Sequence, residues 1–226
     1  MYNETMKKNE RTLAVILAIA AVILMYVVEK VLRPGYLVKS LLKAVVFGGM
    51  MILFSILAGQ KLKKLLNLEW KLPSRKLIMF MAFAYAVIIA GFLLFRNMID
   101  LSQVKANLIE KEHLTRSNFL WVFAYITVCN SFLEESFFRG FITNALGKGL
   151  PAYLFSAFLF AIYHISIMSG WFSPLIMVIA IAGLMGAGLF MQYVCEKNGT
   201  LLASWLVHGC ANLAINTIGT IMFLSM

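Results

Sequence analysis

The stretch Phe132-Leu-Glu-Glu-Ser-Phe-Phe-Arg-Gly-Phe141 constrains this chain more than any other. Glu134 and Glu135 follow fifteen mostly apolar residues, Phe119 to Leu133, and Arg139 comes four positions after Glu135. On insertion scales each charged group inside a membrane span costs about 2.5–3.5 kcal/mol before any pairing. A fold that keeps three of them together must supply partners.

Apolar segments dominate the chain. Its apolar fraction is 62% and its charged fraction 13%, against about 45–50% and about 25% in soluble domains. Mean hydropathy is +0.85. The composition predicts an all-α polytopic membrane bundle, one integral membrane domain over residues 1–226, with the lipid bilayer as its main partner. The net charge of +10 does not point to nucleic acid. The basic residues fall in short segments between apolar runs, where lipid headgroups lie. Cys129, Cys195 and Cys210 show no paired spacing and read as small packing residues.

The apolar runs are Leu13–Val28, Ala44–Gly59, Leu77–Phe95, Phe119 into the 140s, Pro151–Met168, Leu175–Val194 and Leu201–Met226. A crossing helix needs about 20 residues, so these predict about seven transmembrane helices once flanking residues are included. In the first run the small triplet Ala18-Ile-Ala20 sits mid-run, with more apolar residues after it. That favours an uncleaved span over a signal peptide. Between Arg96 and Asn118, the spacing of Leu101, Val104 and Leu108 suggests a helix lying at the interface, with a solvated loop as the alternative. His113 reads as an exposed histidine. Lys and Arg number eleven on the side of the N-terminus and eight on the other, which favours a cytoplasmic N-terminus. Here Lys39 and Lys43 are counted in a first link, Glu29–Lys43. Gly183, Gly186 and Gly188 suit close helix approach in the sixth span.

Candidate partners for the carboxylates are few. His164 lies in the fifth span and His208 in the seventh. Phe160 shares a helix face with His164, Asn212 with His208, and Asn130 with Glu134. The turn at Gly147-Lys-Gly-Leu-Pro151 separates the fourth and fifth spans. Glu134 lies fifteen residues before Gly149 and His164 fifteen after it, so both sit about 18–20 Å from the turn at 1.5 Å per residue. Asn212 is thirteen residues past Gly199, at a similar depth of about 20 Å, with His208 one turn shallower. Four polar groups from three spans therefore fall into one layer. A lone transmembrane His or Asn also serves as an interhelical hydrogen-bond partner, and Glu135 with Arg139 reads as a neutralising pair. Glu134, turned about 100° from Glu135 on the helix, needs a different purpose.

Glu134-Glu135-x-x-x-Arg139, Phe160-x-x-x-His164 and His208-x-x-x-Asn212 resemble the three motifs of the CPBP family. That family unites CAAX prenyl endopeptidases with bacteriocin-processing and bacteriocin-immunity proteins. The resemblance runs from about Asn118 to Thr217, which divides the domain into N-terminal spans with an interfacial loop (1–118) and a catalytic core (119–217). It implies a conical helical bundle and an intramembrane protease of the glutamic type. Glu134 and His164 would activate the attacking water, and His208 and Asn212 would stabilise the oxyanion. Glu135, Arg139, Phe160 and Asn130 would support the site.

The chemistry agrees, because peptide hydrolysis needs a base, an aimed water and oxyanion donors. The expectation is a bacterial plasma-membrane endopeptidase acting on membrane-associated peptides or protein tails, with no cofactor. Zinc held by Glu134, His164 and His208 is the mechanistic alternative, although His-Glu-x-x-His is absent from the sequence. Two readings from other classes are a bacteriocin-immunity or regulatory binding protein, and a transporter using the carboxylates as a proton relay.

Overall fold

The computed structural model describes residues 2–224, all of whose regular elements are helical. Helix α1, Tyr2–Val27, runs into a π-helical turn over Val28–Leu32 and stops where Arg33 turns left-handed before Pro34. Proline next to a left-handed residue cannot continue a helix. After this come α2, Tyr36–Leu57, and the short α3, Leu62–Leu66. The Ser74 hydroxyl caps α4, Arg75–Phe95, by accepting from the Leu77 amide at 3.2 Å. Asp100 does the same for α5, Leu101–Glu110, through the Gln103 amide at 3.0 Å. These are the side chains that best satisfy free amides at a helix start.

The next rod, α6, is continuous over residues 119–146 but changes its winding four times. It is α-helical over Phe119–Tyr125, Ser131–Glu135 and Thr143–Leu146, and π-helical over Ile126–Asn130 and Ser136–Ile142. Pro151 in the first turn opens α7, Leu150–Met168. Helix α8, Pro174–Asn198, ends on Gly199 at φ 65°, where glycine carries no steric penalty. The last helix is α9, Leu201–Leu224. Lys148, in the turn before α7, reaches Glu196 near the end of α8 at 3.0 Å, and that hydrogen bond raises its pKa above the ordinary lysine value.

Six of these helices, α1, α2, α4, α7, α8 and α9, are long and apolar enough to cross a membrane. The α6 rod corresponds to the fourth of the seven expected spans, cut into short α-helical pieces by its π turns. Large apolar residues point outward along the bundle, including Leu37, Ile56, Leu94 and Trp121. In water that surface would be a liability; in lipid it is ordinary. The chain is a multi-pass integral membrane protein.

The core is aromatic. Phe47 of α2 stacks on Phe137 of α6 with ring centres 4.2 Å apart, Phe54 meets Phe141 at 5.1 Å, and Phe138 meets Phe160 of α7 at 5.3 Å. All six rings are buried. This layer clamps α2 and α7 onto the second π segment of α6.

Three expectations need correction. The second span does not begin at Ala44. Helix α2 starts at Tyr36, so Lys39 and Lys43 lie in the span and not in the link before it. An apolar-run reading stops at lysine, whereas the fold continues because both ammonium groups find carboxylates. In α8 only Gly188 meets a neighbour, with Ala157 Cα 3.1 Å from the position a Cβ would take; Gly183 and Gly186 face open space. Cys129 is exposed on the outside of the bundle and is not a packing residue.

The glycine difference is testable. Gly188→Leu should lower stability by about 1–3 kcal/mol through overpacking, read as a fall in Tm of the detergent-solubilised protein. Gly183→Leu should leave Tm unchanged. Equal shifts would contradict the packing described.

Candidate active site

Glu134 and Glu135 sit on a five-residue α-helical piece between two π segments. A π turn spreads the backbone and leaves carbonyls without their usual partner, a cost met mostly at functional sites. Here neighbouring side chains take up those carbonyls. Asn212 Nδ2 donates to Ile126 O at 3.1 Å, and Asn216 Nδ2 to Phe123 O at 2.8 Å. Trp205 Nε1 donates to Val128 O at 2.9 Å and Ser131 Oγ to Thr127 O at 2.6 Å. In the second segment Ser156 Oγ donates to Phe138 O at 2.6 Å and Thr143 Oγ1 to Arg139 O at 2.5 Å. Helix α9 is thus stitched along α6, which brings His208 to the carboxylates.

The two carboxylates have separate surroundings. Glu135 faces into the protein, with Arg139 Nη1 3.2 Å from its Oε1 and His208 Nδ1 2.9 Å from the same oxygen. The Arg139 guanidinium also lies over the Phe160 ring at 4.3 Å. Glu134 faces a cavity. Its Oε1 contacts Lys43 Nζ of α2 and accepts from Asn130 Nδ2 at 3.2 Å. Its Oε2 stands 3.6 Å from His208 Nε2 and 3.9 Å from His164 Nε2. Both separations exceed direct hydrogen bonding and fall within what one water bridges.

The backbone and Glu135 fix the imidazole tautomers. His164 Nδ1 lies 2.7 Å from Phe160 O, and a carbonyl only accepts, so Nδ1 carries the proton. In the neutral ring Nε2 then presents a lone pair towards Glu134. His208 donates from Nδ1 to the Glu135 carboxylate in the same way, and its Nε2 becomes a donor when the ring takes a second proton.

The cavity has a volume of about 420 Å³. Glu134, His164, His208 and Asn212 line its polar end, so the four residues the sequence placed in one layer do share one space. Most of the remaining wall is apolar, including Leu101, Val104 and Leu108 from α5, Phe92 from α4, and Ile215 and Met222 from α9. The helix expected between Arg96 and Asn118 is therefore present, and its apolar stripe covers the cavity. At one edge Lys39 Nζ joins Glu29 at 2.8 Å and Glu112 at 2.7 Å. His113, next to Glu112, is exposed as expected.

The zinc alternative fits poorly. Lys43 and Asn130 occupy one oxygen of Glu134, and an ammonium against a ligand carboxylate opposes a dication. Among the described residues no group of three His, Cys, Asp or Glu side chains is arranged to hold a metal ion. Sequence reasoning missed Lys43 and Asn216. The first carried a signal, a lysine alone among Leu41, Leu42, Ala44 and Val45, and the second stands four residues after Asn212 on the same face.

Residues 116–214 match the family model described as type II CAAX prenyl endopeptidase Rce1-like. The match covers α6, α7, α8 and the part of α9 that carries His208 and Asn212. The segment that carries the three motifs is therefore similar to CAAX prenyl endopeptidases. No curated protein and no solved structure matches the chain. All three motif segments lie in the matched region, whereas Lys43 lies outside it.

The Glu135–Arg139 pair is fully buried, so Arg139→Met should cost about 3–5 kcal/mol by stranding a carboxylate. Adding Glu135→Gln to that variant should recover most of the loss. Thermal unfolding of both variants in detergent checks this, and a double variant no more stable than the single would refute the pairing.

Proposed function

We propose that this chain is a CAAX-type protease, a metal-free glutamic endopeptidase that hydrolyses a peptide bond in membrane-associated peptides or protein tails. The observation that carries the reading is Glu134 Oε2, set 3.6 and 3.9 Å from two imidazole nitrogens at the polar end of an apolar cavity. A water held between Glu134 Oε2 and His164 Nε2 gives up a proton to Glu134 Oε2 as its oxygen attacks the scissile carbonyl. The new C–O bond pushes the carbonyl electrons onto oxygen. Asn212 Nδ2, which has one hydrogen left after its bond to Ile126 O, donates to that oxyanion, and His208 Nε2 joins it as a second donor when the ring takes up a proton in the reaction. Collapse of the intermediate breaks the C–N bond, and the proton taken from water passes to the leaving amine. Burial of the site in apolar surroundings strengthens each of these interactions.

The apolar walls suit a substrate segment that arrives through lipid. Prenylated protein tails, lipidated peptides and pheromone or bacteriocin precursors share that chemistry. The reading extends to a bacterial plasma membrane as the location, with the N-terminus inside. With Lys39 and Lys43 assigned to the α2 span, two fewer basic residues remain in the links of the opposite side, which supports that orientation.

Glu134→Gln should reduce turnover by about 10²–10⁴-fold, the usual worth of a general base, without loss of folded protein. Peptidomics of cells carrying wild type or this variant should find a precursor that accumulates only with the variant. Absence of any such difference would sink the reading. Asn212→Ala should lower kcat by about 10²–10³-fold, as loss of an oxyanion donor does. Activity of the purified enzyme should survive a chelator; abolition restored by added zinc would overturn the metal-free assignment.

A further inference from the structure

Each buried carboxylate of the site has its own cation, and the two cations come from different parts of the chain. Arg139, which serves Glu135, is four residues along the same rod and inside the family match. Lys43, which serves Glu134, arrives from α2, outside that match. It is only 5% exposed and lies within a membrane-crossing helix, where an ammonium without partners is costly.

All of its donor directions are taken. Lys43 Nζ contacts Glu134 Oε1, lies 2.5 Å from Asn130 Oδ1, and faces the Tyr163 ring at 4.9 Å. Asn130 closes the triangle by donating its own Nδ2 to Glu134 Oε1. Lys39, one turn earlier on the same face of α2, is held by Glu29 and Glu112 and does not reach Glu134. A lysine so fully engaged has nothing left with which to anchor a substrate. What it does is saturate one oxygen of Glu134 and leave the other, Oε2, turned to the imidazole pair.

We propose that Lys43 is a positioning residue for the hydrolysis, fixing Glu134 through Oε1 so that Oε2 alone meets the attacking water. The inference rests on the proposed glutamic mechanism and extends it to the N-terminal half of the chain. Without Lys43 the Glu134 side chain loses the contact that sets its rotation, and the base is present but misaimed. A misplacement of about 1 Å in a catalytic group costs on the order of 10²-fold in rate.

The experiment uses the full chain and the peptide that peptidomics identifies as accumulating with Glu134→Gln. Lys43→Met, Lys43→Arg, and Lys43→Met combined with Glu134→Gln are purified in detergent, and kcat and KM are measured apart. Lys43→Met should lower kcat about 10²-fold with KM within about threefold of wild type, as expected when substrate binding is untouched. Lys43→Arg should restore most of the rate, since a cation returns to Oε1. The double variant should be more stable than Lys43→Met, because the stranded carboxylate is gone, yet inactive. A folded Lys43→Met enzyme turning over at the wild-type rate, or one whose loss lies in KM, would overturn the positioning role. If Lys43→Met does not fold, failure of Lys43→Arg to recover activity despite wild-type Tm would do the same. If Glu134→Gln cleaves normally or no peptide accumulates, the glutamic mechanism fails and the positioning role falls with it.

Discussion

The fold turns on how two adjacent carboxylates are kept charged in an apolar interior. Neither could be buried alone, since an unpaired ion in such surroundings costs several kcal/mol even after relaxation. Glu135 is answered within its own rod by Arg139. Glu134, rotated to the next face, can only be answered from another helix, and Lys43 of α2 does so. That single requirement sets α2 against α6 at the level of the site. The stacked rings of Phe47 and Phe137, one turn further along both helices, lock the arrangement.

Winding then distributes what charge alone would leave crowded. The π segments on either side of Ser131–Glu135 expose carbonyls that a regular α-helix would have consumed. Asn212 and Asn216 of α9 donate to Ile126 O in the first π segment and to Phe123 O just before it, so the polar face of α9 is held by backbone contacts independent of the charged centre. His208 is consequently delivered between Glu135 and Glu134 with its tautomer fixed. The irregular winding is thus tied to the site: it presents an imidazole and an amide to the same cavity.

Much of this was legible in the sequence. The depth match of Glu134, His164 and Asn212 follows from helical rise and the positions of Gly149 and Gly199, and those residues do line one cavity. The amphipathic stripe of Leu101, Val104 and Leu108 likewise gave a helix. The contribution of α2 was hidden for a physical reason. Hydropathy scores a lysine as a span boundary whether or not a carboxylate awaits it, so Lys39 and Lys43 were assigned to a link. Glycine spacing misled for a similar reason, since Gly183 and Gly186 permit close approach but no helix comes near them. The π turns left no trace, because they depend on partners supplied by other helices and not on local propensity.

Charge balance also bears on how the family segment relates to the rest of the chain. Residues 116–214 contain Glu134, Glu135 and Arg139. Taken with neutral imidazoles, that segment would bury two negative charges against one positive at the site. The missing positive charge is on α2, and the walls of the cavity beyond the polar end come largely from α4, α5 and α9. A helical core that carries all the reacting groups is therefore not electrostatically complete without the N-terminal spans. Substitutions in α2 that preserve hydropathy while removing the ammonium act on Glu134 as directly as changes in the motif itself, because in a medium of low dielectric the nearest counter-charge dominates what an ion experiences.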